Sequence, residues 1–339
     1  TATRRILAAI LVLSVLLRVG AALYFGDTVP PKTDELSYHT LAARLATGHG
    51  YSFPTVWYPF TPADTPTSHW SFLYTAFVAA VYTVTGPHPL AVRLVQAVLA
   101  GILMPWLTYR LARRLQIVGS KIEGSTKLKV GGSKAESSKS STNLQPATFQ
   151  PATVPLIAAA LSAVYAYFIL YAAYVQTEAF FICTLLWSLE RALTLLQVLR
   201  SAPAGVVPAS SADGPSTGAT QPSTLAKLRF AHLQPSTSLA AGHSSIGLTP
   251  GQLSTFNLQL TTSLAVSLGL ATLLRQSILP WVAVMYLYIL WETWKIREKN
   301  QRKSGPTFGW HVISVISVPL IVVLFVAPFT IRNYVAYGD

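Results

Sequence analysis

The sequence predicts an all-α protein, a polytopic transmembrane helical bundle, and three observations lead there. Hydrophobic residues fill 51% of the 339 positions and charged residues only 11%, against roughly 25% in soluble domains. Water is therefore not the main solvent of the folded chain. The apolar residues are also gathered into blocks about long enough to cross a hydrocarbon layer ~30 Å thick as helices. These blocks are continuous, whereas the strands of a membrane barrel alternate lipid-facing and lumen-facing residues.

Arg4 and Arg5 precede the first block, 6–25, and this basic flank assigns the start to the cytoplasmic side. A secretory signal is the rival reading, but no clean small-residue cleavage site follows and further apolar blocks do. Those blocks cover 70–86, 90–115, 153–175, 178–199, 259–275, 276–294 and 309–330. Between them, 116–152 is rich in Ser, Lys, Gly and Gln, and 200–258 in Pro, Ser, Thr, Ala and Gly. Neither stretch buries enough apolar surface to offset its ordering entropy, so both are expected to be disordered linkers. The chain starts at Thr1 rather than Met and stops directly after an apolar block, so a fragment is expected.

The net charge of +13 invites a nucleic-acid partner, but the Lys and Arg residues flank apolar blocks. The positive-inside bias accounts for them, and nucleic acid is not an expected partner. Cys183, the single cysteine, lies inside an apolar block, which excludes a disulfide framework and a cysteine zinc site. No Walker, HExxH, GxSxG or dinucleotide-binding glycine motif is present, so soluble nucleotide chemistry has no support.

Loop charge sets the parity of the spans. Between 110 and 139, Arg110, Arg113, Arg114, Lys121, Lys127, Lys129, Lys134 and Lys139 face only Glu123 and Glu136, which makes that loop cytoplasmic. The first span delivers 26–69 to the outer face, so 70–115 crosses once although it holds two blocks. The shorter, aromatic-rich block 70–86 is expected to lie along the interface as a juxtamembrane or re-entrant helix. Glu178 and Arg275 then fall outside, and the basic loop with Lys295, Arg297, Lys299, Arg302 and Lys303 falls inside. Arg332 and Asn333 emerge outside.

The first outer loop, 26–69, carries the acids. Thr33 can cap a helix starting at Asp34, and Gly48 and Gly50 can end it after about four turns. Tyr38, Leu41, Ala42 and Leu45 give that helix an apolar side suited to a bilayer surface. Asp34 and Glu35 in its first turn either complement the helix dipole or supply a general base or metal ligand. Their carboxylates point about 100° apart, so one of them at most faces a given cavity. Glu178 opens its block as a dipole-complementing acid or as a second functional acid. Arg275 and Arg18 either snorkel or line a polar cavity. His39, His49 and His69 have no fixed metal-ligand spacing and are read as ordinary loop histidines.

The order of these features resembles the GT-C membrane glycosyltransferases, in particular the dolichyl-phosphate-mannose protein mannosyltransferase-like group. The residues that carry the resemblance are Arg18 near the end of the first span, TDELSYHTLAARLATGHGYS, GPHPLAVRLVQAVLAGILMPWLTYRLARRL, QTEAFF, LLRQSILP and APFTIRNYVAYGD. Together they cover most of the chain outside the two linkers. The resemblance implies an inverting transfer of a hexosyl or pentosyl group from a polyprenyl-phosphate sugar donor to a lipid, glycan or protein acceptor. It implies a multi-pass protein of a cell (inner) membrane, with its active face outward. Asp34 would be the base, with Glu35 its neighbour. Glu178, Arg275, Arg332 and Tyr38 would bind substrate. A divalent metal, Mg or Mn, would have Asp34 and Glu178 as candidate ligands. Arg275 and Arg332 suit the phosphate because guanidinium pairs well with phosphate oxygens.

The chain departs from the family where it reads PTSHWSFLY in place of a Pro-Pro-containing motif. Its linkers are also unusually long. A transporter or flippase of an anionic or lipid-linked substrate, and a noncatalytic membrane subunit, are the competing expectations. No internal repeat of the kind transporters show is visible.

Overall fold

In the computed structural model the chain is described over residues 2–30, 32–58, 60–130, 153–201, 250–304 and 310–337. Among these residues it is nearly all helical, without strands. Four helices are long and apolar enough to cross a membrane: α1 (Ala2–Phe25), Pro89–Ile117 within α4, Glu178–Arg200 within α7, and Ile316–Tyr337 within α10. A bent pair, α5 (Thr153–Val164) and α6 (Ala166–Ala173), would add a fifth.

The polarity of α1 is inverted relative to a soluble protein. Its buried residues are Ser14, Arg18 and Ala22, one stripe at a spacing of four, while Leu13, Leu16 and Leu23 are exposed. In water that arrangement would bury the costly groups and leave the apolar ones wet. With hydrocarbon as the solvent, leucines face lipid and the cation faces the bundle. These helices make the chain a membrane protein.

The helical order departs from the sequence reading in several places. The block at 153–175 does not form one straight helix but bends by 51° between α5 and α6. No Pro or Gly stands at the break, which falls at Val164 and Tyr165. The Arg18 guanidinium occupies the break, donating to the carbonyls of Ser162 and Ala163 at 3.2 and 3.0 Å. A continuous helix would use those carbonyls for the amides of residues 166 and 167. A side chain inserted into the ladder is a recognised cause of a kink.

Helix α4 (Pro89–Val130) continues well into the stretch read as the first linker, and α8 (Pro250–Leu274) begins inside the second. The remainder of both linkers, 131–152 and 202–249, lies outside the described residues. The basic loop after 294 is helical as far as Ser304, as part of α9 (Leu279–Ser304). Arg332 lies within α10 (Trp310–Tyr337).

Helix α3 (Phe72–Thr85) has 14 residues, about 21 Å at 1.5 Å per residue and short of the ~30 Å core. Helix α2 (Asp34–Ala46) packs its Tyr38, Leu41 and Ala42 face into a cluster with Phe53, Trp70, Tyr74 and Val78. That face, expected on the bilayer surface, is covered by protein instead. Thr33 occupies the N-cap position, but its hydroxyl donates to the Pro30 carbonyl and makes no cap hydrogen bond.

The helices order the two ends of the bundle. Val15 of α1 lies against Gly101 of α4, where an added Cβ would stand 2.9 Å from the Val15 Cα. Only glycine permits that approach. Helices α4 and α7 (Glu178–Ser201) run parallel: Gln96 meets Tyr174 at one end, and Arg110 and Arg114 meet Glu190 at the other. The starts of α2, α3, α4 and α7 and the end of α8 therefore share one end of the bundle, called here the Asp34 end. Glu190 marks the opposite, Glu190 end.

Candidate functional site

Two polar joints fix the Asp34 end. In the first, the Glu35 carboxylate accepts from Arg93 Nη2 and from the Val175 backbone amide, both at 2.7 Å. Arg93 also donates to the Gly26 carbonyl at 2.6 Å. Both side chains are almost fully buried, at 0% and 3% exposure. A buried charge demands such pairing and hydrogen bonding. The joint ties the first turn of α2 to the end of α1, to α4 and to the segment entering α7. In the second, Gln96 donates to the carbonyls of Tyr171, Ala172 and Tyr174, and its own carbonyl accepts from Tyr74. It thereby satisfies the open end of α6, the role that Arg18 plays for α5.

The remaining polar groups assemble on this frame. Asp34 is exposed, one position from the buried Glu35. Their neighbouring carboxylates diverge, so one residue joins helices and the other faces outward. Tyr38, one turn further along α2, is 7% exposed and meets Trp70 and Tyr74 edge-on. Burial pushes its phenol up to about 12, an effect opposed by the Ser71 backbone and Thr177 and reinforced by the charges of Asp34 and Glu178. Tyr38 thus keeps its proton at neutral pH.

Glu178 opens α7 and pairs with Arg275, whose Nε also donates to Thr177 Oγ1 at 3.4 Å. Arg275 sits at an extended residue between α8 and a short 3-10 turn, Gln276–Ile278. Its side chain is 42% exposed, so it is a cation at the rim of the bundle. The start of α3 completes this rim: the Ser71 hydroxyl accepts from the Tyr74 amide as a helix cap and donates to the Leu273 carbonyl.

Arg332 stands apart from that group but at the same end. It donates to the Thr67 carbonyl at 2.6 Å and to Asn333, and lies 5.3 Å from the centroid of the Tyr51 ring. No carboxylate among the described residues pairs with it. Tyr51, whose phenol burial also raises, donates to the Trp70 carbonyl and so connects Arg332 to the aromatic group around Tyr38.

The structure thus gathers Asp34, Tyr38, Glu178 and Arg275, with Arg332 reaching the same end through Tyr51 and Trp70. It removes Glu35 from the exposed set and commits it to Arg93. The histidines do not converge: His39 bonds the Tyr82 hydroxyl at 2.8 Å, His49 bonds Thr47, and His69 packs on Tyr58 and Trp70. Among the described residues no three His, Cys, Asp or Glu side chains form a cation-sized cluster. Glu178, one of the two candidate metal ligands, is paired with Arg275.

Arg93 and Gln96 were missed as structural polar groups in the sequence. Their signal is their spacing of three in the first turns of an apolar helix, which sets two polar side chains on one buried face. Comparison with family models, curated proteins and solved structures finds no match. The functional reading therefore rests on the residues.

Proposed function

We propose that the chain is an integral membrane glycosyltransferase of GT-C type, which transfers a sugar with inversion from a polyprenyl-phosphate donor to a lipid, glycan or protein acceptor. The observation that carries this reading is the exposed Asp34 carboxylate, beside the protonated Tyr38 and the Glu178–Arg275 pair, at one end of a bundle of apolar helices. Asp34 accepts the proton of the acceptor hydroxyl as that oxygen attacks the anomeric carbon. The bond from that carbon to the donor phosphate breaks, and the lipid phosphate leaves with the electron pair. Arg275 and Arg332 stabilise the leaving phosphate. Tyr38 is too deeply packed to be the base. A prenyl tail can remain in the bilayer while the reaction proceeds at the membrane face of a multi-pass cell (inner) membrane protein.

The test incubates membranes containing the chain with labelled polyprenyl-phosphate sugars and follows label into product. Positioned general-base catalysis contributes about 10²- to 10⁴-fold, and Asp34→Asn is expected to lower transfer by that factor. The side chain is exposed, so thermal stability should stay within about 0.5 kcal/mol. Wild-type turnover in Asp34→Asn removes Asp34 as the base. Counterflow of the lipid-linked sugar without any transfer would replace the reading with a flippase.

A further inference from the structure

A cavity of about 650 Å³ lies between α3, α4, α7 and α8. Its walls are almost entirely apolar, with Leu99, Leu103, Trp106, Phe180, Trp187 and Leu270 among them. Leu99 and Trp106 are exposed, so the cavity opens sideways where hydrocarbon would lie. From Leu99 to Arg110 the α4 axis advances about 16 Å at 1.5 Å per residue, roughly half of the ~30 Å hydrocarbon core. That is the depth of one leaflet.

The polarity of the cavity is concentrated at the Glu190 end, where Arg110 and Arg191 line it. Both belong to an ion cluster around Glu190: Arg110 at 2.8 Å, Arg191 at 2.8 Å and Arg114 at 3.5 Å. The Glu190 side chain is fully buried, whereas the side chains of Arg110, Arg191 and Arg114 keep 27%, 18% and 36% exposure. Three cations around one carboxylate leave a surplus of two positive charges. The surplus borders the apolar channel and remains accessible.

We propose that this cavity binds an anionic phospholipid from the leaflet at the Glu190 end. Its phosphate is held by Arg110, Arg191 and Arg114, and one acyl chain lies along the channel towards Phe180. Guanidinium matches phosphate oxygens in charge and geometry, and the apolar walls match the chain. A donor lipid used at the Asp34 end would enter in the opposite sense, with its phosphate at Arg275 and its hydrocarbon end against the surplus cations. Only a headgroup at the Glu190 end satisfies both the charge and the walls. The site is distinct from the proposed catalytic face and does not depend on it.

The test removes lipid from the detergent-purified chain, adds phosphatidylglycerol, phosphatidylcholine or inorganic phosphate, and counts bound molecules by native mass spectrometry. Phosphatidylglycerol is expected to bind about thirtyfold more tightly than phosphatidylcholine, the factor supplied by two surplus cations at ~1 kcal/mol each. Arg110→Gln with Arg191→Gln should bring the two lipids to near equality. Should that variant fail to fold, Leu103→Trp decides, because it fills the channel without touching the ion cluster and should weaken both lipids. Equal binding of the two lipids by the unaltered chain overturns the proposal. So does displacement of phosphatidylglycerol by inorganic phosphate, or retention undiminished by Leu103→Trp.

Discussion

Glu35 and Glu190 are both buried carboxylates in an apolar bundle, yet their surroundings differ in kind. Glu35 meets one arginine and one backbone amide, and Arg93 Nη1 donates to the carbonyls of Phe25 and Gly26. Nothing charged in that joint reaches the surface. Glu190 meets three arginines that all keep some exposure. The first arrangement is closed, and its charges hold helices together. The second is open, with cations beyond those Glu190 can neutralise, and it invites another anion. The closed joint also explains how Asp34 can stand exposed: its neighbour anchors the same turn of helix.

The largest effect expected from this contrast is on stability. Glu35→Gln leaves the Arg93 charge buried without a counterion, which costs about 3–5 kcal/mol. Glu190→Gln leaves arginines that can turn towards water or headgroups, so its cost should be nearer 1–3 kcal/mol, the range for an unpaired buried group. Thermal melts of both variants in one detergent give the order. A Glu190→Gln variant less stable than Glu35→Gln would show that the open cluster is the more structural of the two.

A smaller loss is expected from Arg18→Met, which keeps an unbranched side chain but withdraws the donors serving Ser162 and Ala163. Each buried carbonyl left open costs about 1–3 kcal/mol, reduced if α5 and α6 straighten into one span and satisfy those carbonyls themselves. Circular dichroism separates the outcomes. Lower stability at unchanged helicity supports the role of Arg18 as a cap, whereas unchanged stability would mean that the bend does not depend on it.

These cases also show what could be read from sequence. The first span, and the spans near 90–115 and 178–199, were legible because continuous apolar runs of that length have few other solutions in lipid. The bend between α5 and α6 was not, because an arginine on α1 occupies it and no local Pro or Gly marks it. The extensions of α4 and α8 into polar stretches were missed because composition was taken as the boundary. At the candidate site, loop charge was enough to put Asp34, Glu178, Arg275 and Arg332 on one face. It could not assign Glu35 to Arg93, since that pair joins residues 58 apart across two helices. The same limit hid the cluster around Glu190, of which Arg110 and Arg114 read as ordinary positive-inside charge.

The smallest effect concerns pH and tests the closed joint from its edge. His39 is partly buried and bonded to the Tyr82 hydroxyl, and its pKa is lowered below the usual 6.5, first by burial and then by the charge of Arg93. The folded protein therefore binds this proton less readily than the unfolded chain. The contribution of neutral His39 is fully present above about pH 6.5 and is lost as pH falls through the lower folded value. Melting temperature should decline between about pH 7 and 5, and His39→Gln should flatten that part of the profile. Glu35→Gln should steepen it, because Arg93 then acts on the imidazole without its counterion. An identical slope in all three proteins would disconnect His39 from the joint and leave the acid sensitivity to other groups.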